Sequence, residues 1–388
     1  MRVLILGGDG YLGWPTAMRL ARNGHDVLVA DDYSKRALVQ KTNSEPLNSN
    51  PNLPLRTSIF EKALGKKIKY EIGGLTQFPF ISGLFERFRP DSVVHFAEQP
   101  SGPYSMMGFE EASYTLNNNL NVTLNTVFAL LKHTPNCHLV KLGTMGEYGT
   151  PNIDIEEGWI DIQHKGRSDR FLFPRQAGSL YHTTKILDTD LLWFYVRAHG
   201  LTVTDLMQGP VYGIETDESE ADSRLMTSFH YDDIFGTVLN RFLAQAVTDT
   251  PLTVYGEGGQ TRGYLCLKDS LSCIELAINH PPKGGEMRIF NQFTETFSVN
   301  DLATKVQRAG ASCGLNVRIQ NLKNPRKEKE SHHYNPAHIG LLDLGLKPSF
   351  MTDQVLAEML KRIRGFRDRI QTSKFLPREP RRESHRDA

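Results

Sequence analysis

Tyr181-His-Thr-Thr-Lys185 sets a phenol and an ammonium four residues apart. On a helix that spacing brings both side chains to one face. A phenol can take the proton of an alcohol near neutral pH only if its own pKa falls, and a nearby cation favours the phenolate. Thr144 follows the apolar run 138–142 and offers a hydroxyl to share that proton. Tyr-x-x-x-Lys arises by chance in many helices, so the pair carries weight only with a second motif to supply an acceptor for the alcohol's hydride.

That second motif is at the start of the chain. Residues 2–6 form a short apolar run that reads as a buried strand. Gly7, Gly10 and Gly13 follow at three-residue spacing, and residues 14–22 read as a helix with Pro15 in its first turn and Gly24 after its end. Strand, glycine turn and helix N-terminus together form an anion site, because free backbone N–H groups and the helix dipole both favour a pyrophosphate. Within the turn, Gly7, Asp9, Gly10, Tyr11 and Leu12 are the expected cofactor contacts. The next apolar run, 27–30, ends on Asp31 and Asp32. An acid about twenty residues past the glycines is placed for ribose hydroxyls and would repel the extra phosphate of NADP. The implied cofactor is NAD. Its positive nicotinamide ring would further lower the Tyr181 pKa, and Lys185 could hold the nicotinamide ribose. Arg36 reads equally well as a group over the adenine or phosphates and as a solvated loop charge.

The remaining elements must position these groups. Residues 68–72, 92–97, 138–142 and 202–207 read as four more strands, and 40–67 as an insertion. Gly74 and Leu75 follow the third strand, where the adenine edge is expected. Phe96 and Gln99 follow the fourth, whose His95 reads as a core residue. A helix over 114–132 carries three adjacent asparagines, of which Asn119 is expected to face the cofactor. Gln208, Val211 and Tyr212 follow the sixth strand. A helix over 234–247 carries Arg241. Thr253 and Tyr255 lie on a short strand, and Gln260 and Arg262 in an exposed loop. Arg262 and Arg326 could clamp a diphosphate, although either could be an ordinary surface charge. The expected architecture is α/β: a Rossmann-like doubly wound parallel sheet over 1–207 with a return segment near 231–250, a smaller C-terminal α/β substrate-binding domain over 208–375, and a charged, disordered tail over 376–388.

Composition narrows the class. Lys plus Arg (45) nearly equals Asp plus Glu (44), leaving a formal charge of +1, so no global field recruits nucleic acid or a membrane surface. Cys137, Cys266, Cys273 and Cys313 show no metal or redox spacing, and no metal is expected. No apolar run reaches membrane length, and the N-terminal strand leaves no room for a signal peptide. The expectation is a soluble, cytoplasmic enzyme.

These residues carry a resemblance. The chain is similar to the extended short-chain dehydrogenases/reductases that act on nucleotide sugars, and more closely to the UDP-sulfoquinovose synthase family. The stretches are Gly7-Gly-Asp-Gly-Tyr-Leu-Gly-Trp14, His95-Phe-Ala-Glu-Gln99, Pro103-Tyr-Ser-Met106, Gln208-Gly-Pro-Val-Tyr-Gly213, Thr253-Val-Tyr-Gly-Glu-Gly-Gly-Gln-Thr-Arg-Gly-Tyr264, Asn291-Gln-Phe-Thr-Glu295 and Asn324-Pro-Arg326. The most specific runs from Val140 to Gly158. The resemblance implies UDP-glucose and sulfite as substrates and a retained NAD. It also implies oxidation at sugar carbon 4, loss of water across carbons 5 and 6, sulfite addition at carbon 6 and return of the hydride. Thr144, Tyr181 and Lys185 become catalytic, Glu147 a proton-transfer candidate and His182 a group for sulfite approach. Gln99, Thr144, Gln208, Val211, Tyr212, Arg241, Thr253, Tyr255, Gln260, Arg262, Gln292 and Arg326 become substrate contacts. The Thr-Asp-Glu of related sugar 4,6-dehydratases is Thr144-Met145-Gly146 here, and Met145 cannot move a proton. Pro100 replaces the family's usual Arg, and Gly74 its adenine-contacting Asp. A homodimer through the helices near 114–132 and 181–198 is implied, and a sulfite-donating partner enzyme is compatible. The competing readings are a nucleotide-sugar 4-epimerase of the UDP-glucose/UDP-galactose type and a non-catalytic NAD-binding regulator.

Overall fold

The computed structural model describes residues 1–323 and 332–376. Its strands in chain order are β1 (Arg2–Leu6), β2 (Asp26–Asp31), β3 (Lys69–Ile72), β4 (Ser92–His95), β5 (His138–Thr144), β6 (Trp159–His164), β7 (Arg167–Leu172), β8 (Thr202–Gln208), β9 (Val211–Tyr212), β10 (Leu252–Tyr255), β11 (Thr261–Cys266), β12 (Met287–Gln292), β13 (Glu295–Ser298) and β14 (Ile319–Leu322). Seven of them form one parallel sheet in the order β12-β8-β5-β4-β1-β2-β3. The direction of strand addition reverses between β1 and β4. In such sheets ligands lie beyond the carboxyl ends at that reversal. Val3 to Leu6 are fully buried, as a strand covered on both faces requires.

The helices are α1 (Gly13–Arg22), α2 (Ser34–Lys41), α3 (Leu53–Leu64), α4 (Phe78–Phe88), α5 (Gly102–Ser105), α6 (Phe109–His133), α7 (Leu180–His199), α8 (Val238–Val247), α9 (Leu267–Asn279), α10 (Val299–Ser312), α11 (Gly340–Asp343) and α12 (Asp353–Arg364). Two apolar clusters sandwich the large sheet: α4, α6 and α7 contribute to one, and α1, α3 and α9 to the other. A third cluster joins α8, α10 and α12 to β10. The insertion does not stand apart, because Leu47 joins that third cluster and Phe60 the face carrying α1.

Several expectations change. The seventh strand, β12, lies beyond β8, and its buried Asn291 and Gln292 broke the apolar run that would have marked it. The helix expected from 234 begins at Val238. Asp232 Oδ1 accepts the N–H groups of Ile234 and Phe235 and makes a turn there, and Thr237 caps the helix by accepting the Asn240 N–H. Residues 261–264 are not an exposed loop. They lie in β11, antiparallel to β13, and β11 pairs with β9 in parallel. β6 and β7 form an antiparallel hairpin that no apolar alternation announced. Arg326 and residues 377–388 of the expected tail lie outside the described residues.

Candidate active site

The glycine turn separates by function. Gly7 has φ +86°, and a Cβ there would lie 2.8 Å from the Ala97 nitrogen. A Cβ at Gly13 would lie 2.0 Å from the Gly7 carbonyl oxygen. Both positions are closed by the protein itself. At Gly10 a Cβ would meet only that same oxygen, at 3.4 Å, so the space beside it is open at the α1 N-terminus. A pyrophosphate fits this cradle. Tyr11 donates its hydroxyl to the Gly213 carbonyl at 2.7 Å, and Leu12 packs with Val211 and Leu265.

Asp9 is held on three sides. Its N–H donates to Asp31 Oδ2 at 2.9 Å. Arg36 grips its carboxylate through Nε (2.6 Å) and Nη2 (2.7 Å), and the buried Arg56 approaches to 3.4 Å. Arg36 also donates to the Asn50 and Pro51 carbonyls, so it is tied to the glycine turn rather than left as an unpaired loop charge. Asp31 accepts from Asp9 and Tyr33 backbone N–H groups. Burial, with the Asp9 charge next, pushes its carboxyl up to about 6. Asp32 is exposed and accepts from Ser34. A Cβ at Gly74 would lie 3.9 Å from Asp32 Oδ2, so the two line one corner. Leu75 is buried beneath, its carbonyl bonded by Asn125. Phe96 is half-buried, with its N–H on the Leu6 carbonyl.

Thr144 ends β5. Its Oγ accepts the Gly146 N–H, and Glu147 Oε1 accepts the Thr144 N–H, each at 3.2 Å. α7 begins at Leu180 and carries Tyr181 and Lys185, with the Lys185 ammonium 5.9 Å from the Tyr181 ring centre. That ammonium is turned to Glu98 Oε1 at 2.8 Å and the Leu142 carbonyl at 2.6 Å. Burial and then the Glu98 and Glu147 carboxylates push the Tyr181 phenol up. In the protein alone the phenol is thus held above its ordinary value, with the Glu98 carboxylate set against the Lys185 ammonium.

Glu147 also departs from expectation. It is fully buried, 3.5 Å from Lys141 Nζ, 3.2 Å from Thr189 Oγ1 and 3.8 Å from Arg175 Nη1. It braces Thr144 from behind and does not face the open site. Lys141, also fully buried, donates to Thr189 Oγ1 (2.8 Å), the Lys185 carbonyl (3.1 Å) and Asp205 Oδ2 (3.3 Å). One ammonium thus ties β5, α7 and β8 together beneath Tyr181 and Lys185. Asn119 is buried too. It accepts the Gln99 N–H and donates to the Gln99 carbonyl and Thr184 Oγ1, so it supports the cofactor side rather than facing it. The Gln99 side chain turns inward to Ser101 and Thr115, away from the position expected for a sugar contact. His95 is a satisfied core residue, 3.1 Å from Thr123 Oγ1.

At the sheet's carboxyl edge Thr144 stands in register with Gln208, and Gln208 with Gln292. The Gln208 amide donates to Gln292 Oε1 and Ser270 Oγ. Val211 and Tyr212 are buried behind this row. Arg241 donates to the Thr253 carbonyl and lies 4.7 Å from the Tyr255 ring, forming one group across α8 and β10. Gln260 is buried immediately before β11. Arg262 bonds His332 at 3.0 Å and is close enough to His182 to influence its charge. Residues that the spacing did not single out are Glu98, Lys141, Arg56 and Ser179. A lysine inside an apolar strand was the available signal for Lys141, because an unpaired charge is not tolerated there.

A description of the NAD dependent epimerase/dehydratase family matches residues 3–291, and the chain belongs to that family. It is 46% identical to the chloroplastic UDP-sulfoquinovose synthase of Spinacia oleracea over 97% of this chain and 78% of the relative. It is 44% identical to the UDP-sulfoquinovose synthase of Sulfolobus acidocaldarius over 97% of this chain and 96% of the relative. Within the wider family the chain is a member of the UDP-sulfoquinovose synthases. A solved UDP-glucose 4-epimerase from Bifidobacterium longum, in complex with NAD+ and UDP, superposes with a TM-score of 0.69 over 97% of this chain and 100% of its own, at 20% identity, and shows the same fold. No helix among the described residues is long and apolar enough to cross a membrane.

Proposed function

We propose that this chain converts UDP-glucose and sulfite to UDP-sulfoquinovose, forming a carbon–sulfur bond at sugar carbon 6. The near-full-length likeness to two UDP-sulfoquinovose synthases carries the reading. The Gly7–Gly13 turn, with Asp31, Asp32, Gly74 and Leu75 on the adenosine side, would hold NAD, which would supply a reversible hydride acceptor for carbon 4. Tyr181 takes and later returns the carbon-4 hydroxyl proton, Thr144 shares it, and Lys185 orients the ribose. The ketone at carbon 4 acidifies the carbon-5 hydrogen, so water can leave across carbons 5 and 6. Sulfite then adds at carbon 6 and a proton returns to carbon 5. The buried Met145 offers no proton for this elimination, which leaves His182 as the titratable group facing the sugar end of the site. Arg241, Thr253, Tyr255, Gln260 and Arg262 form the nucleotide-sugar side, with the diphosphate at Arg262.

The outward faces of α6 and α7 expose Leu116, Phe128, Leu187 and Phe194, which supports a homodimer through these helices. Four free thiols support a reducing, cytoplasm-like compartment. The decisive experiment is mass spectrometry of products from UDP-glucose with and without sulfite. A sulfite-dependent UDP-sugar bearing a sulfonate in place of a hydroxyl is expected. UDP-galactose that accumulates regardless of sulfite would make the chain a 4-epimerase instead.

A further inference from the structure

We propose that Ser179 fixes the His182 imidazole in the tautomer that carries its proton on Nε2, so that a neutral ring donates a hydrogen bond into the sugar site above Gly146. Ser179 is the N-cap of α7, and its Oγ accepts the His182 backbone N–H at 3.2 Å. The same Oγ lies 3.1 Å from His182 Nδ1. A hydroxyl has one proton to give. The backbone N–H takes one of its two lone pairs, and among the described residues Nδ1 is the one acceptor paired with that oxygen, so the proton is assigned to the Oγ–Nδ1 contact and Nδ1 to the bare nitrogen. The remaining ring proton sits on Nε2.

The surroundings agree with a ring aimed at ligand. Nε2 hangs over Gly146, where an added Cβ would lie only 2.3 Å away. Gly146 follows the Thr144 strand end, and the Tyr181 and His182 ring centres are 5.2 Å apart. The imidazole is therefore next to the carbon-4 machinery, on the side where the rest of the sugar must lie. The ring is neutral, because burial and then the neighbouring Arg262 push His182 down to about 4. A neutral N–H can stabilise a developing oxyanion without itself being charged. On the synthase reading, on which this part rests, the oxygen it meets is the departing carbon-6 hydroxyl or an oxygen of incoming sulfite. Ser179 is a positioning residue, and the assignment of the ring proton does not depend on the substrate.

The test is long-range 1H–15N correlation on the NAD-loaded enzyme with 15N-histidine, with the His182 signals assigned by their loss in His182→Asn. A protonated Nε2 is expected. Ser179→Asp keeps an oxygen that caps the helix but has no proton to give, so at pH 9, where the ring is neutral, the proton moves to Nδ1. In that variant sulfite-dependent product formation should fall about 100-fold, while nicotinamide reduction on adding UDP-glucose persists. Ser179→Thr, which retains the hydroxyl, should restore both tautomer and rate. A wild-type ring protonated on Nδ1 overturns the proposal, as does a Ser179→Asp enzyme with the flipped tautomer and an unimpaired sulfite step. A preparation that makes no sulfonate yet shows the Nε2 proton sinks the synthase reading and supports the tautomer assignment.

Discussion

The Lys185 ammonium stands 2.8 Å from the Glu98 carboxylate, and both side chains are at most 5% exposed. The cation that should assist the Tyr181 phenol is thereby balanced from the strand end behind it. After burial, Glu98 is the strongest influence raising the phenol. Glu98→Gln should lower the Tyr181 pKa and move the acidic limb of the rate of carbon-4 oxidation to lower pH. It should also destabilise the fold by roughly 3–5 kcal/mol, the usual cost of orphaning one buried ion-pair partner. Stopped-flow reduction of bound nicotinamide across pH checks the first effect. An unmoved limb would mean that Glu98 does not act on the phenol.

Lys141→Met should destabilise by a similar amount, roughly 3–5 kcal/mol, because Asp205 and Glu147 lose their shared cation. Burial alone would lower the Lys141 pKa, but Asp205 and Glu147 outweigh it and hold it above the usual lysine range. A group raised on folding contributes fully below its unfolded pKa of about 10.4, and its contribution fades as pH rises through the folded value. The gap between wild type and variant should therefore stay constant in urea unfolding from pH 6 to 9 and narrow only at more alkaline pH. A gap that closes near neutrality would assign the stabilisation to another group.

Gly146→Ala places a methyl group where His182 Nε2 now sits. The imidazole tip can swing away, so stability should change by no more than about 1 kcal/mol. Product formation with sulfite should drop about 10- to 100-fold, with carbon-4 oxidation retained. Equal loss of both steps would indicate a general disturbance of the β5 end.

The glycine turn predicts a contrast. Gly13→Ala should prevent folding or cost several kcal/mol, because its Cβ would overlap the Gly7 carbonyl. Gly10→Ala should fold normally and release NAD more readily, because its methyl group projects into the open cradle. Thermal melts and the fraction of bound nicotinamide after gel filtration separate the two. Equal behaviour would place the cofactor elsewhere.

Phe128→Glu combined with Phe194→Glu puts charges on the exposed faces of α6 and α7. Analytical ultracentrifugation should show a dimer for the wild type and a monomer for the double variant, with secondary structure unchanged. A wild-type monomer at micromolar concentration would remove the dimer.

The parallel sheet was legible in the sequence because several of its strands are largely apolar, with unbroken runs at 3–6 and 27–30. The strand that ends on Thr144 and the helix that carries Tyr181 and Lys185 were legible from their patterning. What escaped was the environment of those groups. Nothing in the spacing places Glu98 against Lys185 or Arg56 against Asp9, since each pair joins segments far apart in the chain. Arg262 read as a loop residue because Gly259, Gln260 and Gly263 surround it, whereas β13 and β9 recruit that stretch into a sheet by backbone pairing alone. Glu147 was credited with chemistry from its position near Thr144, and only its neighbours show that it is a brace.

Tyr11 bonds the glycine turn to Gly213, the first residue past β9. One hydroxyl therefore bridges the loop proposed to hold the dinucleotide and the segment that leads to the proposed nucleotide-sugar side. Two ligands that bias a common element must bias each other equally. A sugar nucleotide that tightens Gly213 would make the dinucleotide slower to leave, and departure of the finished sugar would loosen that grip. On the proposed function, the moment of product release, rather than the chemistry, would then be when the protein is most exposed to losing its hydride carrier.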